Sequence, residues 1–89
     1  MLRILDRIYM NLQEKIHKTV AEVFEIPLDE VHNEMTPFDI KKWDSLGQLT
    51  LISAIEKKLN IFFETADIFK IISIQSIIDI VDEKVHGGT

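Results

Sequence analysis

Three stretches of this chain repeat apolar residues at steps of three and four, a period that suits helices and not alternating strands. The first carries Leu5, Ile8, Leu12, Ile16, Val20 and Val23 or Phe24. The second follows Leu46 with Leu49, Ile52, Ile55 and Leu59, widened by Leu51 and Ala54. The third is Ile74, Ile77 or Ile78, Val81 and Val85. Each stripe can bury one helical face. Between the second and third, Ile61-Phe62-Phe63 reads as a short extended piece. With Ile61 and Phe63 turned inward, alternation sends Phe62 outward. A brief further helix through Asp67, Ile68 and Phe69 fits after it, with Thr65 as its cap.

The ends of these stretches carry their own signals. Pro27 closes the first, because proline lacks the helical N–H and biases Ile26 away from the helical region. Its start is open: Asp6 suits an early cap, and Asn11 followed by Glu14 suits a later one. Residues 1–10 are thus an N-terminal extension or the start of the first helix, residues 11–85 the domain, and residues 86–89 a tail loosened by Gly87-Gly88. Asp44 and Ser45 both suit the N-cap of the second helix, and Ser45 with Gln48 matches a capping box. Asn60 suits a left-handed stop, and Ser73 a cap for the last helix. Residues 27 to 43 form the longest irregular connection. Leu28, Val31, Met35 and Phe38 are its candidate anchors, and Asp29-Glu30-Val31 its candidate helical turn. Connections of this length are commonly functional or disordered, and the repeated anchors favour order. It delivers Trp43 beside Ser45, where a packed indole covers the helix entrance.

Eighty-nine residues allow one core. The absence of cysteine removes disulfides, Cys-based zinc sites and thiol nucleophiles. His17, His32 and His86 are scattered and lack metal-ligand spacing. A net charge of −5 argues against a nucleic-acid binder. From Glu22 to Asp39 there are six acidic residues and no Lys or Arg, which reads as a solvated loop or as a docking surface for a basic partner. No apolar run approaches the ~20 residues of a membrane span. No cleavage site follows the apolar amino terminus, so the expected location is cytoplasmic and the expected state a monomer without membrane insertion.

Long helix, long loop, Asp44-Ser45-Leu46 at the second helix, short third helix, closing fourth: this order resembles the acyl carrier protein family. The resemblance runs through residues 16–24 of the first helix, Ala54-Ile55-Glu56-Lys57-Lys58-Leu59-Asn60-Ile61, and the closing Ser73-Ile74-Gln75-Ser76-Ile77. It agrees with the all-α expectation of a small four-helix bundle, three longer helices and a short third, with its long loop between helices 1 and 2. It implies a phosphoprotein in which Ser45 receives 4′-phosphopantetheine from coenzyme A through a phosphopantetheinyl transferase. The arm's thiol then carries acyl groups as thioesters. Asp44 and Leu46 complete the attachment motif, with Asp44 orienting the partner or its metal ion. No catalytic base is required of the chain itself, so it is expected to be a freestanding acyl carrier and not an enzyme, working with acyl-activating and acyl-transferring enzymes. Leu49, Ile52, Ile68 and Ile72 are candidates to line an acyl pocket between the second helix and the third-helix region, set against a plain core role.

Two departures bear on the pathway. Family members of primary fatty acid biosynthesis usually present an acidic second helix, whereas here its polar positions are Gln48, Thr50, Ser53, Glu56, Lys57 and Lys58. Lys41-Lys42-Trp43 also stands where the family often has an acidic residue and Leu-Gly. The expectation is a dedicated acyl, lipid or polyketide biosynthesis pathway. An aminoacyl or peptidyl carrier is the first alternative, and an unmodified helical interaction domain with Ser45 as a mere cap is the second. A serine hydrolase fits poorly, since no Gly-x-Ser-x-Gly elbow surrounds Ser45 and nothing holds His32 against it.

Overall fold

A computed structural model describes residues 4–86, with side chains described from residue 11 onward. Its helices are α1 Ile4–Phe24, α2 Ser45–Leu59, α3 Thr65–Phe69 and α4 Ile74–His86, with a 3-10 turn at Leu28–Glu30. No strand occurs among the described residues. α1 lies against both α2 and α4. It contributes Leu12, Ile16, Val20 and Phe24, buried at steps of four along one face. Leu5 and Ile8 fall outside the described side chains, and Gly87-Gly88 outside the described residues. α2 adds Leu51, Ile52 and Ile55, and α4 adds Ile74, Ile77, Ile78, Ile80 and Val81. Thr19 is the buried polar residue among them, and its hydroxyl donates to the Lys15 carbonyl at 2.8 Å, so no donor is stranded. No described helix is long and apolar enough to cross a membrane.

The helix ends explain where the chain turns. α1 stops two residues before Ile26, with Glu25 left-handed (φ 56°) and the Ile26 N–H donating to Ala21 O at 3.1 Å. α2 stops the same way: Asn60 is left-handed (φ 54°) and the Ile61 N–H reaches Glu56 O at 3.2 Å. These six-to-one bonds are Schellman closures. Ser73 and Ser76 cap α4 reciprocally, each side-chain oxygen accepting the other's backbone N–H at 3.1 and 3.0 Å. The start of α3 departs from expectation, since the cap is Glu64 and Thr65 is already helical. Asp67, three residues beyond Glu64, accepts its N–H at 2.9 Å. Thr65 has the apolar Ile68 at that offset and has no such partner. The extended piece behaves as read, with Phe63 buried and Phe62 exposed.

The long connection is ordered by anchors only partly those expected. Val31 is buried and Met35 packs against the core, together with Ile40 and Trp43. Phe38, by contrast, is 100% exposed and Leu28 roughly half so. A local turn is the reason: the Asp39 carboxylate accepts from the Thr36 N–H at 2.9 Å and from its hydroxyl at 3.1 Å, which puts Pro37-Phe38 at the tip. The loop also supplies what the start of α4 lacks. Met35 O and Asn33 O accept the Ile74 and Gln75 N–H groups at 3.0 and 2.9 Å, two donors with no acceptor inside the helix. The Asn33 side chain bonds back to α1 through His17 (2.6 Å) and Gln13 (3.2 Å).

Candidate functional site

The site is built where the loop enters α2. Asp44 is extended (φ −101°, ψ −167°), and its Oδ1 accepts the Gly47 N–H at 2.8 Å. Asp44 is therefore the N-cap, and Ser45 the first helical residue. The capping box expected of Ser45 and Gln48 does not form, because Gln48 is engaged elsewhere. Its Oε1 accepts the Trp43 indole N–H at 2.8 Å. With both structural duties taken by neighbours, the Ser45 hydroxyl is exposed and has no hydrogen-bond partner among the described residues.

Trp43 is held by three means besides that bond. It is 2% exposed, it stacks on Phe24 with centroids 5.7 Å apart, and its backbone N–H donates to Ile40 O at 3.0 Å. Behind it, the chain passes unusually close to α2. A Cβ built on Gly47 would collide with the Lys42 carbonyl oxygen and lie 3.2 Å from Phe24 Cε1, so only glycine lets the two segments meet. Lys42 pairs with Glu25 at 2.6 Å, and the bond together with the lysine charge holds the Glu25 carboxyl below its ordinary pKa. This clamp joins the end of α1 to the approach to Ser45.

Beside the serine, a groove of about 570 Å³ opens between α2 and the α3 region. Asp44, Ser45, Gln48 and Leu49 form one wall, Ile68 and Ile71 the other, and Pro37 and Trp43 complete it. Of the four residues proposed for a pocket, Leu49 and Ile68 line this groove. Ile52 is instead a core residue (6% exposed), and Ile72 is 70% exposed and outside the lining. Ile71, one residue earlier, faces the groove in its place. Leu46 is 73% exposed, projecting from the first turn.

The electrostatics of α2 are equally specific. Its one acidic residue, Glu56, is turned to structural use, accepting the Phe63 N–H at 2.9 Å. Lys58 pairs with Glu22 of α1 at 3.1 Å. Two acids of the acidic stretch, Glu22 and Glu25, are thus matched by lysines. His32 lies on the loop with its Nδ1 3.1 Å from Glu34. No base is hydrogen-bonded to the Ser45 hydroxyl among the described residues. The hydroxyl can accept a group delivered by another protein, and a helix N-terminus suits a phosphodiester placed there.

Comparison with known proteins agrees with this chemistry. The family model described as a phosphopantetheine attachment site matches residues 14–81. An acyl carrier protein of Buchnera aphidicola subsp. Schizaphis graminum is 30% identical over 74 residues, covering 83% of this chain and 94% of that protein. An acyl carrier protein of Buchnera aphidicola subsp. Acyrthosiphon pisum is likewise 30% identical over 74 residues, covering 83% of this chain and 92% of its own length. The chain belongs to the acyl carrier protein family, whose members hold a covalent 4′-phosphopantetheine.

Proposed function

We propose that Ser45 is the attachment point for 4′-phosphopantetheine and that the chain carries acyl groups between enzymes. The prosthetic group supplies a terminal thiol on which acyl groups are held as thioesters. The protein's own part is to present a hydroxyl that neither packs nor caps. The observation that carries the reading is the division of labour at the start of α2: Asp44 caps, Gln48 serves Trp43, and Ser45 is left exposed and unpaired. Asp44 keeps an exposed carboxylate beside the hydroxyl, suited to a cation brought by the transferase. The test is intact mass after incubation with coenzyme A and a broad-specificity phosphopantetheinyl transferase. A gain of one phosphopantetheinyl group that disappears in Ser45→Ala is expected. No gain in the wild type would leave an unmodified helical interaction domain as the better reading.

The partners of this carrier are read as enzymes of a dedicated acyl, lipid or polyketide pathway. Support comes from Glu56, because the one carboxylate of α2 is bonded to the Phe63 backbone and the outer face of the helix presents Leu46, Leu49, Thr50 and Ser53. Such a face suits apolar recognition better than an arginine-rich dock. Tight binding to the enzymes of primary fatty acid synthesis, abolished by Asp29→Asn with Glu30→Gln, would refute it. Cargo hangs from the arm and touches few side chains, so loading assays with acyl- and aminoacyl-activating enzymes separate an acyl from an aminoacyl or peptidyl carrier.

A further inference from the structure

We propose that Trp43 locks Gln48 so that its side-chain NH₂ donates a hydrogen bond to an amide carbonyl of the arm on Ser45, laying the arm along the groove between α2 and α3. The inference rests on Ser45 being the attachment point. It begins with the chemistry of the indole, whose N–H can only donate. The partner atom on Gln48 must therefore be the carbonyl oxygen, and the 2.8 Å bond fixes which way round the amide sits. Trp43 cannot swing away to release it, being buried and stacked on Phe24. The NH₂ group that remains has no partner among the described residues.

Position gives this donor its use. Gln48 is three residues beyond Ser45, so the two share a helix face, and both border the groove. Of the other side chains that border the groove, Leu49, Ile68, Ile71 and Pro37 are apolar, and the Asp44 carboxylate accepts but cannot donate to a carbonyl. A hydrocarbon chain has no use for a fixed N–H donor. The amide carbonyls of a pantetheine arm are strong acceptors tethered one helical turn away. Because Trp43 already restricts the Gln48 rotamer, little side-chain entropy remains to be lost when the bond forms. Gln48 is thus a positioning residue for the arm.

The test uses the full chain labelled with ¹⁵N, before and after loading, with loading followed separately by intact mass. Trp43 is the chain's single tryptophan, so one indole N–H signal reports on the groove without ambiguity. Loading is expected to move that signal and the Gln48 side-chain NH₂ pair, and to produce cross-peaks between this NH₂ and protons of the arm. Gln48→Glu keeps an acceptor for the indole and removes the donor. It should fold and retain the indole signal of the unloaded wild type, and once loaded, as intact mass reports, it should show a smaller loading-induced shift of that indole signal, with the docked-to-free ratio of the arm falling roughly fivefold for one neutral hydrogen bond. Full mass gain without cross-peaks in the wild type, or an undiminished loading-induced indole shift in Gln48→Glu, overturns the inference and leaves Ser45 as the tether. Absence of any mass gain removes the tether, and the inference with it.

Discussion

Gly47→Ala sets two well-characterised effects against each other. Gly47 lies in the first turn of α2, and alanine is the better helix former by about 1 kcal/mol. Propensity alone therefore calls for a more stable protein. The surroundings call for the reverse, since the added Cβ meets the Lys42 carbonyl oxygen and lies 3.2 Å from Phe24 Cε1. Neither neighbour yields easily. The carbonyl belongs to the backbone that leads into buried Trp43, and Phe24 is itself buried and stacked on that indole. Overpacking a site of this kind costs about 1–3 kcal/mol, and the clash with backbone puts this one toward the upper half, so a net loss of about 1–2 kcal/mol remains after the propensity gain. For a domain of this size each kcal/mol moves the melting temperature by roughly 4–8 °C. Thermal unfolding followed by far-ultraviolet circular dichroism reads the change. Ser53→Ala, at an exposed position of the same helix, serves as the control and should gain a few tenths of a kcal/mol, about what propensity alone gives. If Gly47→Ala melts at or above the wild type, the reasoning from close approach fails.

Three further outcomes follow from the same geometry. Asp44→Ala should lower stability by about 1 kcal/mol through loss of the cap, whereas Asp44→Asn keeps the acceptor and should hold stability while slowing modification of Ser45; urea titration and a loading time course separate the two roles. Asp67 sits 2.6 Å from Lys84, and that bond, with the Glu64 N–H, holds its carboxyl below the ordinary value. Its stabilising contribution is therefore complete above the unfolded carboxyl's ~3.9 and is lost as pH falls through the lower folded value. Lys84→Met should reduce the urea midpoint at pH 7 and narrow the gap between pH 7 and pH 3, and an unchanged gap would count against the pair. Glu25→Gly should raise stability in the same urea titration, because glycine takes the left-handed position without a Cβ penalty and the exposed Lys42 pair it gives up is worth little.

The helices were legible because burial on one face leaves a trace every three or four residues. Leu12, Ile16, Val20 and Phe24 are all buried, as are Ile74, Ile77, Ile78 and Val81. Asn60 was legible for another reason, since its side chain favours the left-handed stop that it makes. Glu25 makes the same stop and carries no such preference, so nothing local marked it. The loop anchors were harder. Phe38 has the composition of a core residue, and only the Thr36–Asp39 turn, a matter of hydrogen bonds, carries it into solvent. Ile71 borders the groove and Ile72 does not, and the sequence could not tell them apart because two adjacent isoleucines in a connection without a period look alike until the backbone direction is known. Gly47 could have been noticed, as a glycine in the first turn of a helix weakens it unless something must come close.

The start of α2 also shows why a short motif is ambiguous on sequence and definite in a fold. Asp44, Ser45 and Gln48 are each competent to satisfy an N–H of the first turn, and spacing alone favours Ser45 with Gln48. The tie is broken from outside the motif. Trp43 is driven into the core by its size and must bring its indole N–H a partner, and Gln48 is the acceptor within reach. Once Gln48 is committed to Trp43, the serine-centred box cannot close, and Asp44 takes the cap. The exposed serine is in this sense a consequence of the tryptophan. Replacing Trp43 by leucine should then do more than open a cavity next to Phe24. It frees Gln48 to return to the capping box and gives the Ser45 hydroxyl a competing bond to the first-turn backbone. The Trp43→Leu protein should be modified by the transferase more slowly than its loss of stability explains, and the double variant Trp43→Leu with Gln48→Leu should recover part of that rate. A rate that simply tracks the folded fraction in both variants would show that Trp43 contributes packing alone.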